Sequence, residues 1–165
     1  MAWQPGQRIT AQRLLDNTPN TVSYSAITTN TSTTTAAEAV GIVTAPITFR
    51  TGRAYRIRYK GGLFSTQAGQ QGTAAVRKTD LGGQTYINAF RIYLPAAGTV
   101  AFDFSNICTN TGSANITAAL VGTFGLTAAA GGGTVNLAAS TPNPAYIHVE
   151  DIGPAADYAG ATPIT

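Results

Sequence analysis

RAYRIRYKGG, residues 53–62, decides the fold. Tyr55, Ile57 and Tyr59 fall on one side of an extended chain, and Arg56, Arg58 and Lys60 fall on the other. That alternation predicts a strand with one buried face and one wet one. On the wet face the three cations stand about 6.5–7 Å apart, twice the rise of a strand residue. Gly61-Gly62 then predicts a turn that ends the strand.

The same period of two recurs on both sides of this segment. Upstream lie TVSYSAIT (21–28), EAVGIVT (38–44) and PITFRT (46–51). Downstream come TAAVRKT (73–79), QTYINAFRIYL (84–94), GTVAFDFSN (98–106) and ANITAALVGTF (114–124), then GTVNLAA (133–139) and AYIHVED (145–151). Clusters rich in Gly, Asn, Pro and Thr separate them, among them TQAGQQG, DLGGQ, PAAG and STPNP. Short strands at regular intervals between turn signals predict an all-β fold, an antiparallel β-sandwich or small barrel. AAAGGGTVNLAA reads as a hairpin. Thr35-Ala36-Ala37-Glu38 fits a capping box. The β-branched run Ile42-Val43-Thr44 argues against a long helix there, so it reads as a loop entering a strand.

Residues 1–20 read differently, as an N-terminal arm ahead of a sandwich domain over 21–165. Trp3, Pro5 and Gly6 are irregular, and ITAQRLLD offers one short helix with Thr10 as N-cap. Trp3 is open to two readings, a staple onto the domain's own core or an anchor into a partner.

Composition narrows function. With 165 residues the chain can bury a core without staples. Charged residues are only 10% of it, against about 25% in typical soluble domains. Such a surface suits contact with other protein, or solubility carried by hydroxyls, of which 26 threonines supply many. A net charge of +3 is too small to imply nucleic acid. One cysteine, Cys108, allows no internal disulfide. MAWQPGQRIT has no signal-peptide pattern, and no apolar stretch approaches the ~20 residues of a membrane helix. Two glycosylation sequons, at Asn30 and Asn115, then read as chance matches.

Candidate chemistry is thin. His148, the lone histidine, lies close to Glu150 and Asp151. Strand parity puts His148 and Glu150 on one face and Asp151 on the other, leaving too few ligands for zinc. Cys108 has no neighbouring base, no nucleophile elbow exists, and neither glycine-rich stretch precedes a phosphate-binding lysine. The expectation is no enzyme, no catalytic or metal-binding residue and no cofactor.

The distinctive feature is basic. Arg50, Arg53, Arg56, Arg58 and Lys60 make up five of the ten cations. Arg53, Arg56, Arg58 and Lys60 read either as a stripe that docks an acidic partner surface or as a solvated face that guards a sheet edge.

Two segments carry a family resemblance. MAWQPGQRITAQRLLDN resembles an arm pattern, W-x-x-G-x-x-I-T-A-x-x-L, of many tailed-phage virion proteins, with Leu15 and Asp16 intervening here before Asn17. YIHVEDIGP, with TFRTGRAYRIRYKGG, resembles small β-rich structural proteins of phages that infect actinobacteria. Together they cover about a quarter of the chain. The resemblance implies a virion component: a capsid decoration or minor capsid protein, or else a minor tail protein. It implies an antiparallel β-sandwich or jelly-roll-like domain on the capsid surface, made in the host cytoplasm and assembled as a homotrimer on the major capsid protein. Membrane, specific nucleic acid and small-molecule substrates are not implied. The arm's contacts would fall on Trp3, Gly6, Ile9, Thr10 and Leu14. A carbohydrate-binding sandwich is the alternative outside that family.

Overall fold

A computed structural model describes residues 18–128 and 132–165. The expected arm helix, and with it Trp3, Gly6, Ile9, Thr10 and Leu14, lies outside the described residues.

Twelve strands are present among the described residues: β1 (Asn20–Ile27), β2 (Ala39–Val43), β3 (Ile47–Phe49), β4 (Arg53–Ser65), β5 (Gln70–Lys78) and β6 (Thr85–Leu94), then β7 (Gly98–Asn110), β8 (Ile116–Ala118), β9 (Leu120–Ala128), β10 (Val135–Ala138), β11 (Ala145–Pro154) and β12 (Thr162–Pro163). One sheet runs β1-β11-β4-β7-β12, with β10 also on β4; a second runs β2-β9-β5-β6. β3 and β8 form a separate pair. All pairings are antiparallel except the short parallel one between β12 and β7. The protein is an all-β sandwich of two packed sheets.

β4 is the axis of the first sheet. Its 13 residues pair along their whole length with β7, while the other edge takes β11 and then β10. Parity divides β4 as its sequence predicts: Tyr55, Ile57 and Tyr59 are buried, Arg56 and Lys60 exposed. Leu63 continues the buried face, joined by Ile147 and Val149 of β11 and Leu137 of β10. From the second sheet come Val76, Leu94, Phe124 and Leu126. Each fully buried side chain of this size stabilises by about 1.5–3 kcal/mol. Glycine sets how closely the sheets approach. A Cβ on Gly72 of β5 would lie 2.0 Å from Leu63 Cδ2, and one on Gly122 of β9 would lie 3.1 Å from Tyr59 Cζ. At the open side, Phe90 of β6 stacks on Phe104 of β7 with ring centroids 4.5 Å apart.

Three local expectations fail. Gly61-Gly62 does not end the strand: β4 runs on to Ser65, with Gly61 opposite Phe102 and Gly62 opposite Ala101. A Cβ on Gly61 would meet Leu137 and Phe102 at 3.0 Å, and one on Gly62 would meet Thr99 Cγ2 at 2.6 Å. These glycines permit close packing within a sheet rather than a reversal. AAAGGGTVNLAA is not a hairpin, because β9 lies in the second sheet and β10 joins β4 in the first. The expected strand 114–124 is two, β8 and β9, which pair with different partners. Thr35–Glu38 forms no helix, as expected of a loop entering β2.

Candidate interaction surface

The outward face of the first sheet gathers the polar residues singled out in the sequence. Register sets its rows. Tyr146, Lys60 and Asp103 lie side by side across β11, β4 and β7; the next row holds Tyr24, His148, Arg58 and Ser105; the third holds Glu150, Arg56 and Ile107.

The rows pair charges across strands. Arg58 Nε donates to Asp103 Oδ1 at 2.7 Å, and its NH2 group donates to Oδ2. The Arg58 hydrogen bonds hold the Asp103 carboxyl below its ordinary value and raise the guanidinium in turn. Arg56 reaches Glu150 Oε2 at 3.3 Å. Lys60 lies over the Tyr146 ring, 5.9 Å from its centroid, and has no carboxylate within ion-pair distance among the described residues. Both pairs are well exposed, so each contributes about 0–1 kcal/mol, screened further by salt. Arg56 and Arg58 thus belong to a ladder of mixed charge, while Lys60 forms no ion pair among the described residues and acts on Asp103 only through space.

Arg53 does not stand with them. It shares parity with Tyr55, and its guanidinium donates to both oxygens of Asp151 at 2.6–3.0 Å. Arg50 adds a contact at 2.9 Å, and the Gly153 N–H donates to Asp151 Oδ1 at 3.2 Å. Burial pushes the Asp151 carboxyl up, but the Arg53, Arg50 and Gly153 hydrogen bonds outweigh it and leave the group below its ordinary value. This cluster pins the end of β11 to the start of β4.

His148 has a different neighbourhood from the one its sequence position suggests. Asp151 is on the opposite face, as parity requires. The His148 Nε2 lies 2.9 Å from the Thr21 hydroxyl, and the ring meets Tyr24 edge-on at 6.0 Å. Tyr24 also packs against Tyr146 at 5.2 Å, giving an aromatic cluster beside the cations. Among the described residues no three His, Cys, Asp or Glu side chains come together as metal ligands. Cys108 is fully buried, and burial pushes its thiol up to about 12.

Two hollows flank the charged rows. One, of about 480 Å³, lies between Arg56 and the segment Tyr158–Thr162. The other, about 440 Å³, lies beyond Lys60, over Gly62, Ala101 and Ala138. Sequence reasoning missed both, and missed Asp103 as the partner of Arg58. The partners come from strands whose register no local pattern encodes.

Among the described residues the exposed large apolar side chains concentrate on three strands, with Leu81 the exception. Val22 and Tyr24 are on β1, Val40 and Val43 on β2, Phe90 and Tyr93 on β6. Among the described residues β1, β2 and β6 are edge strands of their sheets. Together these three strands carry one charged residue, Arg91.

The class defined by these features is a two-sheet antiparallel sandwich with a cross-paired polar face and apolar edges. No family model matches the chain, and no curated protein sequence matches it. Among solved structures it is similar to a chain of infectious bursal disease virus Gx strain, with 13% identity over 93% of this chain and a TM-score of 0.46. It is also similar to the VP2 subviral particle of infectious bursal disease virus, with 11% identity over 92% and a TM-score of 0.44. The chain spans 40% of the length of each.

Proposed function

We propose that the chain is a structural component of a virus particle: a head decoration protein that sits on the capsid surface and reinforces it. In this reading residues 1–20 are an arm and 21–165 the domain. Trp3, Gly6, Ile9, Thr10 and Leu14 of the arm contact the major capsid protein, as does the basic stripe through Arg56, Arg58 and Lys60, while Arg53 supports it through Asp151. The resemblance of both chain ends supports a tailed phage of actinobacteria as the source, with synthesis in the host cytoplasm.

The observation that carries the reading is the placement of apolar surface. Among the described residues, six of the seven large exposed hydrophobics lie on the edge strands β1, β2 and β6. Unpaired, nearly uncharged edges template association unless something covers them. β1 lies beside β2 on one flank and β6 beside β7 on the other. The two flanks differ, so joining one to the other on the next copy is a heterologous contact, which forms a ring where the rotation between copies closes and a filament where it does not. A homotrimer is the ring proposed here.

Light scattering on the full chain tests it. The expected mass is three times 17.0 kDa. Val43→Glu, on an exposed side chain, reduces it to one copy that keeps its β-sheet circular dichroism and whose Tm no longer depends on concentration; a wild-type monomer at high concentration overturns the trimer. A second reading, a minor tail or fibre protein touching the host surface, is favoured by the solvent-open hollow beside Lys60. Copy number in the particle separates them, hundreds for the shell against a handful for the tail.

A further inference from the structure

The hollow beyond Lys60 has the make-up of a ligand site. Along the outward face of β4 the side chains run Arg56, Arg58, Lys60, Gly62 and Phe64. Gly62 pairs with Ala101 on one side and Ala138 on the other. Three small residues in register therefore form a low floor between two taller walls, with the Thr99 methyl lying over Gly62 at its centre. Lys60 and Phe64, four residues apart, set that width at about 13 Å. The segment Ala139–Pro144 closes one end, held by a two-way backbone bond between Ser140 and Asn143 at 3.0 Å. The volume, about 440 Å³, falls in the range of small-molecule sites, roughly 300–1,000 Å³.

The polar groups lining it are uncommitted. Asn30 accepts from the Ala139 N–H at 2.9 Å, which leaves its amide NH₂ free to donate. The Asn143 amide and the Thr99 hydroxyl hydrogen-bond to no other described residue. Among the described residues no carboxylate lines the hollow. Asp103, the nearest acid to Lys60 in the ladder, gives both oxygens to Arg58. Lys60, Phe64, Asn143 and Thr99 thus line one space, with the Lys60 ammonium at its margin over the Tyr146 ring.

Chemistry selects among ligands. A peptide strand cannot add to β4, which is paired on both sides, and the far edge of β7 lies against β6 rather than over the hollow. Nucleic acid wants many cations, and the hollow offers one. An acyl chain wants an apolar lining, and this one is mixed. We propose that the hollow binds an acidic saccharide of hexuronate type. Its carboxylate sits on Lys60 Nζ, its C–H face lies against Phe64, and its hydroxyls bond Asn143 and Thr99. The site rests on the lining of the hollow, and Lys60 is the one residue it shares with the basic stripe.

The test is a ¹⁵N–¹H titration of the full chain with galacturonate oligomers, and in parallel with neutral galactose oligomers. Uronate is expected to shift the amides of Gly61, Gly62 and Ala101 in a saturable way, while the neutral sugar binds more weakly. Lys60→Gln weakens uronate binding about tenfold or more, the effect of losing one charge-assisted hydrogen bond. It leaves neutral-sugar binding and Tm unchanged. Ala101→Leu places bulk on the exposed floor and abolishes both shifts in a folded protein. Absence of saturable shifts at millimolar oligomer overturns the site. Shifts that survive Ala101→Leu overturn its location. Uronate binding indifferent to Lys60→Gln overturns the acidic preference.

Discussion

Replacing Asp151 with alanine tests whether the polar end of β11 is structural. The carboxylate's side chain is 3% exposed and that of Arg53, its main partner, 12%. Removing one member of a buried pair leaves the other charge uncompensated, at a cost of about 3–5 kcal/mol. Arg50 is 56% exposed and adds little. Arg53 keeps a path to water, which places the expected loss at the low end, about 3 kcal/mol. For a domain of this size that is a fall in Tm of about 6–12 °C. Urea unfolding should show a lower midpoint at unchanged slope, since the buried area is unaltered. In an Arg53→Ala background the same change should cost much less, because the charge it would strand is already gone. The pH dependence has a fixed sign. The folded carboxyl lies below its unfolded value, so its contribution is complete above the unfolded value, near pH 4. It is lost as pH falls through the lower folded value. A cost under about 1 kcal/mol, or additive costs in the two backgrounds, would refute the reasoning.

Other outcomes follow from the packing. Gly72→Val drives a side chain into Leu63 and should destabilise by about 1–3 kcal/mol in urea unfolding; a neutral change would mean the sheets are not in contact there. His148→Ala removes an exposed hydrogen bond to Thr21 and should cost no more than about 1 kcal/mol, with assembly intact. Cys108 should resist a thiol reagent at pH 8 in native protein and react in urea, since burial raises its pKa to about 12; fast native reaction would place the thiol at the surface.

The sequence makes one half of this surface legible and hides the other. Parity alone assigns Tyr55, Ile57 and Tyr59 to the core and Arg56, Arg58 and Lys60 to solvent. It also separates Asp151 from His148, and it would have placed Arg53 with Tyr55, away from the stripe. What parity cannot supply is register. Asp103 and Glu150 meet Arg58 and Arg56 across 45 and 94 residues of sequence. Gly61-Gly62 reads as a turn because a glycine pair is locally ambiguous. The reason for it is a close approach by Thr99, Phe102 and Leu137, from two other strands. The hollow over Gly62 is invisible for the same cause, since Ala101 and Ala138 become its floor only once β7 and β10 are laid beside β4. Edge strands are likewise a property of the assembled sheets. β1, β2 and β6 read like any other strand until their neighbours are known.

The central claim, that the chain is a particle protein covering its edges with neighbouring copies, is tested most directly by imaging the intact particle that it comes from. The account predicts density for the sandwich on the outer shell in hundreds of copies, grouped in threes, with the β1/β2 flank of each copy against the β6/β7 flank of the next. Purified particles that lack the protein, or copies standing apart with both flanks facing solvent, would contradict it.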